Sequence, residues 1–343
     1  MSLSGQYRNL LIYSQTTANK EDYYLDSNRL RVEAKGETGH FFSYNVQYDN
    51  DVVFGDYLET GEFAAIEANA SQTPRRTYWD LDGEISSKDR LRWNHSLHRG
   101  YGKIKSGDVD LTIGRQRIAW GRGWFFSPLD IFNPLSPTAI ERGERDGVDG
   151  VVLELSSGIA SKASLVYLPM KNSSDTFAAK VDTLIGSYDI ALTAGSHVGV
   201  DFIGADFTGY VGDAGFKGEL AFSRENHVDN LSWLLSGNYG FDNSLTIMVE
   251  YFYNDGGSLH PISYGGENYI GVDVGYDLTP LTRFENLLIL NLMDGSRFYS
   301  PFLASSLREN MDLTLGIQLF AGDTGNEFGG LENLAYAQFS LFF

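Results

Sequence analysis

Apolar and polar residues alternate along most of the chain, in runs of about ten residues separated by turn-forming residues. In one run, Leu30, Val32 and Ala34 alternate with charged residues, and the same spacing recurs over residues 245–253 and 311–319. Strict alternation places every second side chain on one face, as in a β-strand with one apolar face. We count about eighteen such runs, with sixteen as the alternative. The chain is therefore predicted to be all-β.

The connections between these runs alternate between short turns and longer segments. The two longest segments cover residues 49–92 and 119–147. An up-and-down antiparallel barrel in a bacterial outer membrane has this arrangement, with short periplasmic turns and long extracellular loops. We therefore predict a single transmembrane β-barrel domain over residues 1–343, in which both long loops fold toward the pore.

Two features favour a membrane barrel over a soluble β-sandwich. The apolar face recurs on nearly every run, with Tyr and Phe near the run ends. The opposite face carries Arg, Lys, Asp and Glu on many runs, which indicates a water-filled lumen and not a packed core. The outer side of such a wall would contact membrane lipid and lipopolysaccharide.

Composition narrows the classes of function further. The 343 residues include no Cys, which excludes disulfides, thiolate metal sites and Cys nucleophiles. Lys and Arg number 26 against 45 Asp and Glu, a formal net charge of -19, which argues against nucleic-acid binding. The sequence shows no recognisable catalytic constellation or metal-ligand motif, so we predict neither an enzyme nor a metal or cofactor site.

Both ends of the chain bear on export. The N-terminus lacks the charged and apolar regions of a signal peptide, which is compatible with a mature exported protein. The last residues place Phe339, Leu341 and Phe343 on one face. This ending resembles the terminal assembly signal of Gram-negative outer-membrane proteins. The resemblance implies recognition by the barrel-assembly machinery and location in the outer membrane.

One internal stretch also resembles a known family. Its motif elements within residues 108–134 are Gly114-Arg115-Gln116, Trp120-Gly121, Pro128 with Asp130, and Asn133-Pro134. The stretch resembles a group of porin-like outer-membrane β-barrel proteins that are loosely akin to alginate-export-type porins. The resemblance implies an outer-membrane channel and does not identify its solute.

Charge is distributed unevenly along the chain. Residues 1–145 hold 18 basic and 20 acidic residues, whereas residues 146–343 hold 8 and 25. In a closed barrel these parts form opposite arcs, so we predict a basic and an acidic arc facing each other across the lumen. The candidate basic pore-lining residues are Arg29, Arg31, Lys35, Arg99, Lys103, Arg115 and Arg117. The candidate acidic pore-lining residues are Glu154, Asp182, Glu219, Glu250, Asp273 and Asp312.

Two of the basic candidates have an ambiguous orientation. Arg115 and Arg117 share the alternation phase of Leu111 and Ile113, which would place both on the lipid face. A β-bulge near Gly114 would turn them inward, which is the interpretation we favour. The alternative is that both lie above the apolar band.

Residues 119–147 combine three Pro with several charged side chains, and we predict that they narrow the pore. The candidate constriction residues are Arg122, Glu141, Arg142, Glu144 and Arg145. The predicted function is passive diffusion of small hydrophilic solutes, and local Arg charge weakly favours anionic ones. The alternative is a barrel that sheathes or docks a partner protein of an electron-conduit or export complex. Formation of a homo-oligomer stays open.

Overall fold

The computed structural model describes residues 1–72, 77–134, 136–158, 160–256, 259 and 265–343. Within these residues the chain forms nineteen β-strands, one α-helix and one short 3-10 helix. The strands are β1 (Ser2–Gln15), β2 (Asp22–Thr38), β3 (Phe42–Phe54), β4 (Asp82–Lys88), β5 (Leu91–Ser106), β6 (Val109–Gln116), β7 (Val148–Ser157), β8 (Ser161–Leu168), β9 (Thr176–Ile185), β10 (Tyr188–His197), β11 (Val200–Val211), β12 (Ala214–Glu225), β13 (Val228–Gly240), β14 (Thr246–Asn254), β15 (Asn268–Thr279), β16 (Thr282–Asn291), β17 (Arg297–Arg308), β18 (Met311–Ala321) and β19 (Leu334–Phe342). The 3-10 helix covers Asp56–Glu59 and α1 covers Gly61–Gln72.

Eighteen of these strands close into one antiparallel barrel. The wall closes where β1 pairs with β19, from Gln6 opposite Phe342 to Ser14 opposite Leu334. Strand β4 is the additional one. It pairs with the first part of β5, whose later residues pair with β6. The prediction of an all-β, up-and-down antiparallel barrel with 18 strands is therefore confirmed.

The period of two gives the wall an apolar outer face and a polar inner face. Large apolar side chains on the outer face are exposed, as at Phe177 (58%), Leu192 (63%) and Ile203 (59%). Alternate positions point to the interior, where Lys180 and Glu219 are buried. Because a buried charge is costly without a partner, these interior charges require partners inside the barrel.

Short hairpins join the strands at one end of the barrel. Gly186 between β9 and β10 and Gly212 between β11 and β12 have φ angles of 65° and 60°. Glycine adopts this left-handed conformation without steric cost, which suits the two-residue turns found at both places. The longer connections lie at the opposite end.

The long connection after β3 begins with regular structure. Strand β3 continues to Phe54, and the 3-10 helix and α1 follow it. The ring of Tyr57 lies 4.4 Å from that of Tyr23 on β2, and Glu62 accepts hydrogen bonds from the backbone and hydroxyl of Thr17. These contacts place α1 at the long-loop rim of the barrel. Among the described residues, no helix is both long enough and apolar enough to cross a membrane.

The core of the molecule lies inside the barrel, against residues 117–147, which we call the inner segment. Its Phe125 and Phe126 pack with Leu234, Phe252 and Tyr269 of the wall, and all five are buried. A second buried cluster includes Leu129, Ile131, Phe132, Val148, Val166, Leu168 and Phe202. Apolar burial on both sides thus fixes the segment against the inner surface of the wall.

The predicted assembly signal lies on the closing strand. Phe339 and Leu341 belong to β19 and share one alternation phase, and Phe343 follows directly after the strand. The side chain of Phe343 is 63% exposed, and its backbone N–H donates to the carbonyl of Gly5 at 3.0 Å. Recognition of these residues by the assembly machinery stays a prediction.

Candidate channel and its constriction

Glu250, on the inner face of β14, binds the inner segment through the segment's backbone. Its carboxylate accepts hydrogen bonds from the N–H groups of Trp124, Phe125 and Phe126, at 2.8, 2.9 and 2.8 Å. The Glu250 side chain is fully buried. Three peptide donors offset part of the loss of water around this carboxylate, and they fix the chain direction at 124–126.

Glu219, on the inner face of β12, binds an overlapping part of the segment in the same way. It accepts hydrogen bonds from the N–H groups of Arg122, Gly123 and Leu129, the last two at 2.7 and 3.0 Å. The hydroxyl of Ser127 donates to it as well, at 2.9 Å. Two carboxylates of the acidic arc, Glu219 and Glu250, thus bind residues 122–129 of the inner segment.

Arg122 adds an ion pair on the same side. Its Nε lies 2.8 Å from Asp206 of β11 and its Nη2 lies 3.5 Å from Asp182 of β9. Burial alone would lower the pKa of Arg122, but the hydrogen bond and attraction to these carboxylates raise it. Lys180 also bonds Asp206 at 2.7 Å and donates to the carbonyl of Trp120 at 2.8 Å. The positive end of the segment therefore lies against negative wall groups.

The other end of the inner segment binds the basic arc. Glu141 lies 2.7 Å from Arg8 and 3.0 Å from Arg29, and Glu144 lies 2.9 Å from Arg31. Burial would raise the pKa of Glu144, but attraction to Arg31 and Arg8 outweighs it and lowers the pKa to about 2. Carboxylates near this end of the segment thus bind the basic arc, as Arg122 near the other end binds the acidic arc.

Contacts within the inner segment hold its two ends together. The guanidinium of Arg142 lies 5.1 Å from the ring of Trp124 and 4.9 Å from that of Phe125, and it donates to the carbonyl of Trp124 at 2.5 Å. Such cation–π contacts are favourable where water is excluded. Burial lowers the pKa of Arg142. Arg145 forms an ion pair with Asp130 nearby.

Cavities flank the inner segment on both sides. The cavity on the basic side measures about 370 Å³, and its charged lining residues are Arg29, Arg31, Arg145, His98, Asp49, Asp51, Glu141, Glu144 and Asp146. The cavity on the acidic side measures about 310 Å³ and is lined by Asp273, Glu285, Arg142 and the aromatic rings of Trp124, Phe298 and Tyr336, among others. Carboxylates outnumber guanidinium groups in both linings.

The other basic candidates differ from Arg29 and Arg31 in the groups that they contact. Lys103 lies 2.7 Å from Asp110, Lys35 is largely exposed beside Glu33, and Arg117 is exposed. Arg99 donates to the carbonyls of His98, at 2.8 Å, and Arg145. Only Arg29 and Arg31 among the seven candidates bind carboxylates of the inner segment in the described residues.

Arg115 lies in the wall where β4 meets the end of β6. Its side chain is 4% exposed, bonds Asp149 at 2.9 Å and donates to the carbonyls of Leu97 and Trp79. Because Arg115 bonds the Trp79 carbonyl, the chain leading into β4 covers this guanidinium. Gly114 has a φ of 125°, but β6 keeps its register with β7 through Gln116, so this strand pair shows no β-bulge at Gly114.

The remaining acidic candidates have separate partners. Glu154 lies 2.9 Å from Lys162 and 3.8 Å from Lys103 on the wall. Asp312 accepts a hydrogen bond from the hydroxyl of Ser306 at 2.9 Å, near the short-turn end. Asp273 lines the acidic-side cavity described above.

Several residues that bind the segment were absent from the predicted set. Arg8 bonds Glu141 and Glu144, and Asp206 bonds both Arg122 and Lys180. Arg8 and Asp206 are both charged residues at the polar positions of an alternating strand, so the sequence could have identified them as candidates. Their pairing across the lumen was not detectable, because it depends on how the closed barrel brings distant strands together.

The fold is shared with solved structures of low sequence identity. OccAB3 of Acinetobacter baumannii has a TM-score of 0.64 and 11% identity, covering 99% of this chain and 98% of that one. OccK8 (OprE) of Pseudomonas aeruginosa has a TM-score of 0.63 and 11% identity, over 99% and 97%. A triple-mutant porin of Rhodopseudomonas blastica has a TM-score of 0.50 and 12% identity, over 100% and 99%. No protein-family model and no curated protein matches the sequence. The chain has the fold of the outer-membrane porins of Gram-negative bacteria.

Proposed function

We propose that the protein is a channel of the Gram-negative outer membrane, through which small hydrophilic solutes diffuse passively. The observation that carries this proposal is the inner segment, a charged stretch of chain bonded to opposite arcs of a closed 18-strand barrel. Barrels of this size hold an aqueous path. A segment across that path leaves narrow, charged cavities beside it, which suits selection of small polar solutes.

The linings of these cavities bear on charge selectivity. The Arg cluster that suggested anionic solutes is neutralised, since Arg29 and Arg31 each bind carboxylates of β3 and of the inner segment. On the basic side five carboxylates accompany three Arg and one His, and on the acidic side two carboxylates accompany one Arg. We therefore propose a preference for cations at the constriction, although the basic arc lies beside it.

The alternative function, a barrel that sheathes a partner protein, requires an open lumen. The inner segment contacts β1, β2, β12, β14 and β18, and thus occupies space that a threaded partner would need. This favours the channel over a sheath for a partner protein. We also propose no enzymatic activity, since the sequence shows no recognisable catalytic constellation.

Conductance of the purified barrel in a planar lipid bilayer tests this proposal. We expect discrete current steps in KCl, and a reversal potential in a KCl gradient that shows cation preference. A correctly folded barrel that gives no steps would overturn the channel. Steps with anion preference would keep the channel and overturn the proposed selectivity.

A further inference from the structure

The inner segment leaves the wall and returns to it at neighbouring points, which we call its two roots. Strand β6 ends at Gln116, directly before the segment, and β7 begins at Val148, directly after it. Gln116 and Val148 lie opposite each other in the pairing of these strands, and Arg115 opposite Asp149 is the adjacent pair. Arg115 and Asp149 therefore lie at the two roots, one on each strand.

Arg115 and Asp149 belong to the outer side of the wall. Arg115 has the alternation phase of the exposed Ile113, and Asp149 has that of the exposed Leu155. The side chains of both nevertheless are buried. A buried ion pair is tolerated only where further hydrogen bonds satisfy its charged groups. Some of these bonds come from residues 77–81, which lead into β4 and which we call the outer strap.

The ion pair binds the backbone of the outer strap at a single residue. The N–H of Trp79 donates to Asp149 at 2.9 Å, and Arg115 donates to the carbonyl of Trp79 at 2.6 Å. The guanidinium also bonds Asp149 at 2.9 and 3.1 Å and donates to the carbonyl of Leu97 on β5 at 2.9 Å. The ion pair thus satisfies both backbone groups of Trp79, as an antiparallel neighbouring strand would.

The returning root passes close to this ion pair. A Cβ added at Gly147 would lie 2.7 Å from Cγ of Arg115 and 3.0 Å from the carbonyl oxygen of His98, so the packing leaves no room for a side chain there. On the lumen side, Arg99 donates to the carbonyl of Arg145, two residues before Gly147. A displacement of Arg115 would therefore change the position of the returning root.

Space for such a displacement lies beside the root. A cavity of about 470 Å³ is lined by Asp82, Ser96, His98, Arg115 and Gly147, among others. Atoms that border a cavity lack the packing contacts that fix a close-packed interior. The hydrogen bonds of Arg115 and Asp149 therefore contribute more to the position of the root on this side than packing does.

We propose that Arg115, Asp149 and the backbone of Trp79 form a latch outside the lumen that positions the inner segment. The latch holds both roots, and through the outer strap it connects them to the long connection after β3. Arg115 and Asp149 are thus positioning residues that lie on the far side of the wall from the solute path. The effect of the latch on current rests on the proposed channel function, whereas its effect on the position of the segment does not.

A spin label on the inner segment tests the latch without a current measurement, because the chain contains no Cys that would also be labelled. A Cβ at Gly143 meets no described atom within 4 Å, so Gly143→Cys carries the label. We expect the label to move faster, by about twofold or more, in Arg115→Met and in Asp149→Asn. The double variant should add nothing further, because the two residues act as a unit. Arg224→Met, which breaks an exposed ion pair with Asp229, is the control.

A single backbone group tests the part played by the outer strap. Trp79→Pro removes the N–H that donates to Asp149, whereas Trp79→Ala removes the side chain and keeps that N–H. We expect faster label motion in Trp79→Pro and native motion in Trp79→Ala. The Trp79 side chain is exposed, so these variants test the latch even where loss of Arg115 prevents folding. Native label motion in Trp79→Pro, or an equal change in Trp79→Ala, would overturn the latch.

Single-channel recordings of the same variants separate the latch from the channel. Heat-dependent gel mobility shows which barrels are folded, and in folded Trp79→Pro we expect noisier current steps than in Trp79→Ala. A faster label in barrels that give no current steps, the native chain included, would support the latch and overturn the proposed channel. Native label motion in Arg115→Met and Trp79→Pro barrels that do give current steps would keep the channel and overturn the latch.

Discussion

At the residue scale, carboxylates inside the barrel bind backbone N–H groups as well as Arg side chains. Glu219 and Glu250 each accept three backbone N–H bonds from the inner segment, whereas Glu141 and Glu144 bind Arg side chains. Peptide donors around a buried carboxylate hold a chain more rigidly than a flexible ion pair at a surface does. These wall carboxylates therefore shape the lumen by fixing the segment that lies inside it.

Replacing one wall carboxylate measures this effect. Glu250→Gln keeps the size of the side chain but removes the charge that three N–H groups bind, so we expect unfolding to require about 2 kcal/mol less free energy. Chemical denaturation of the barrel in detergent checks it. The control is Asp312→Asn, whose carboxylate accepts a bond from Ser306 near the short-turn end. Equal losses in both variants would contradict the special role of Glu250.

The pH dependence of the stability of the fold reports on the ionisation of Glu144. Its pKa lies at about 2 in the folded protein, below the ordinary value of 4.5, so its ionised form stabilises the fold. This stabilisation should be complete above about pH 4.5 and disappear as the pH falls through about 2. The difference in denaturation midpoint between the native chain and Glu144→Gln should shrink over that interval. A difference that does not change with pH would refute this assignment.

At the scale of elements, alternation predicted the strands because each wall residue faces either the outside of the barrel or its lumen. Helix α1 was not predicted, since its apolar residues do not form a stripe and it packs only at the rim. The inner segment was predicted as a pore-narrowing loop from its Pro and charged residues. Its bonds to Glu219 and Glu250 were not predictable, because backbone N–H donors leave no mark in a sequence.

Releasing one end of the inner segment tests how it is held. In Glu141→Gln/Glu144→Gln the segment loses its ion pairs with Arg8, Arg29 and Arg31 while Glu219 and Glu250 still bind the other end. We expect larger and noisier current steps in single-channel recordings. Glu154→Gln, which removes a wall carboxylate paired with Lys162, is the control. Steps like those of the native chain would show that these ion pairs do not hold the constriction.

At the scale of the whole molecule, a net charge of -19 is a poor guide to selectivity, because much of that charge is screened or paired. The charges that matter line the cavities beside the inner segment. Asp273→Asn/Glu285→Gln removes both carboxylates of the acidic-side cavity, so we expect the reversal potential in a KCl gradient to shift toward anion preference. An unchanged reversal potential would place the selective charges elsewhere.

The single-channel conductance after the inner segment is shortened tests the proposed constriction most directly. Replacing residues 125–141 with a short Gly-Ser linker removes the part of the segment that crosses the lumen and leaves the wall strands intact. We predict a folded barrel whose current steps in KCl grow by about twofold or more, because a wider narrowest section carries more current. A folded variant with the conductance of the native chain would contradict the proposal that the inner segment forms the constriction.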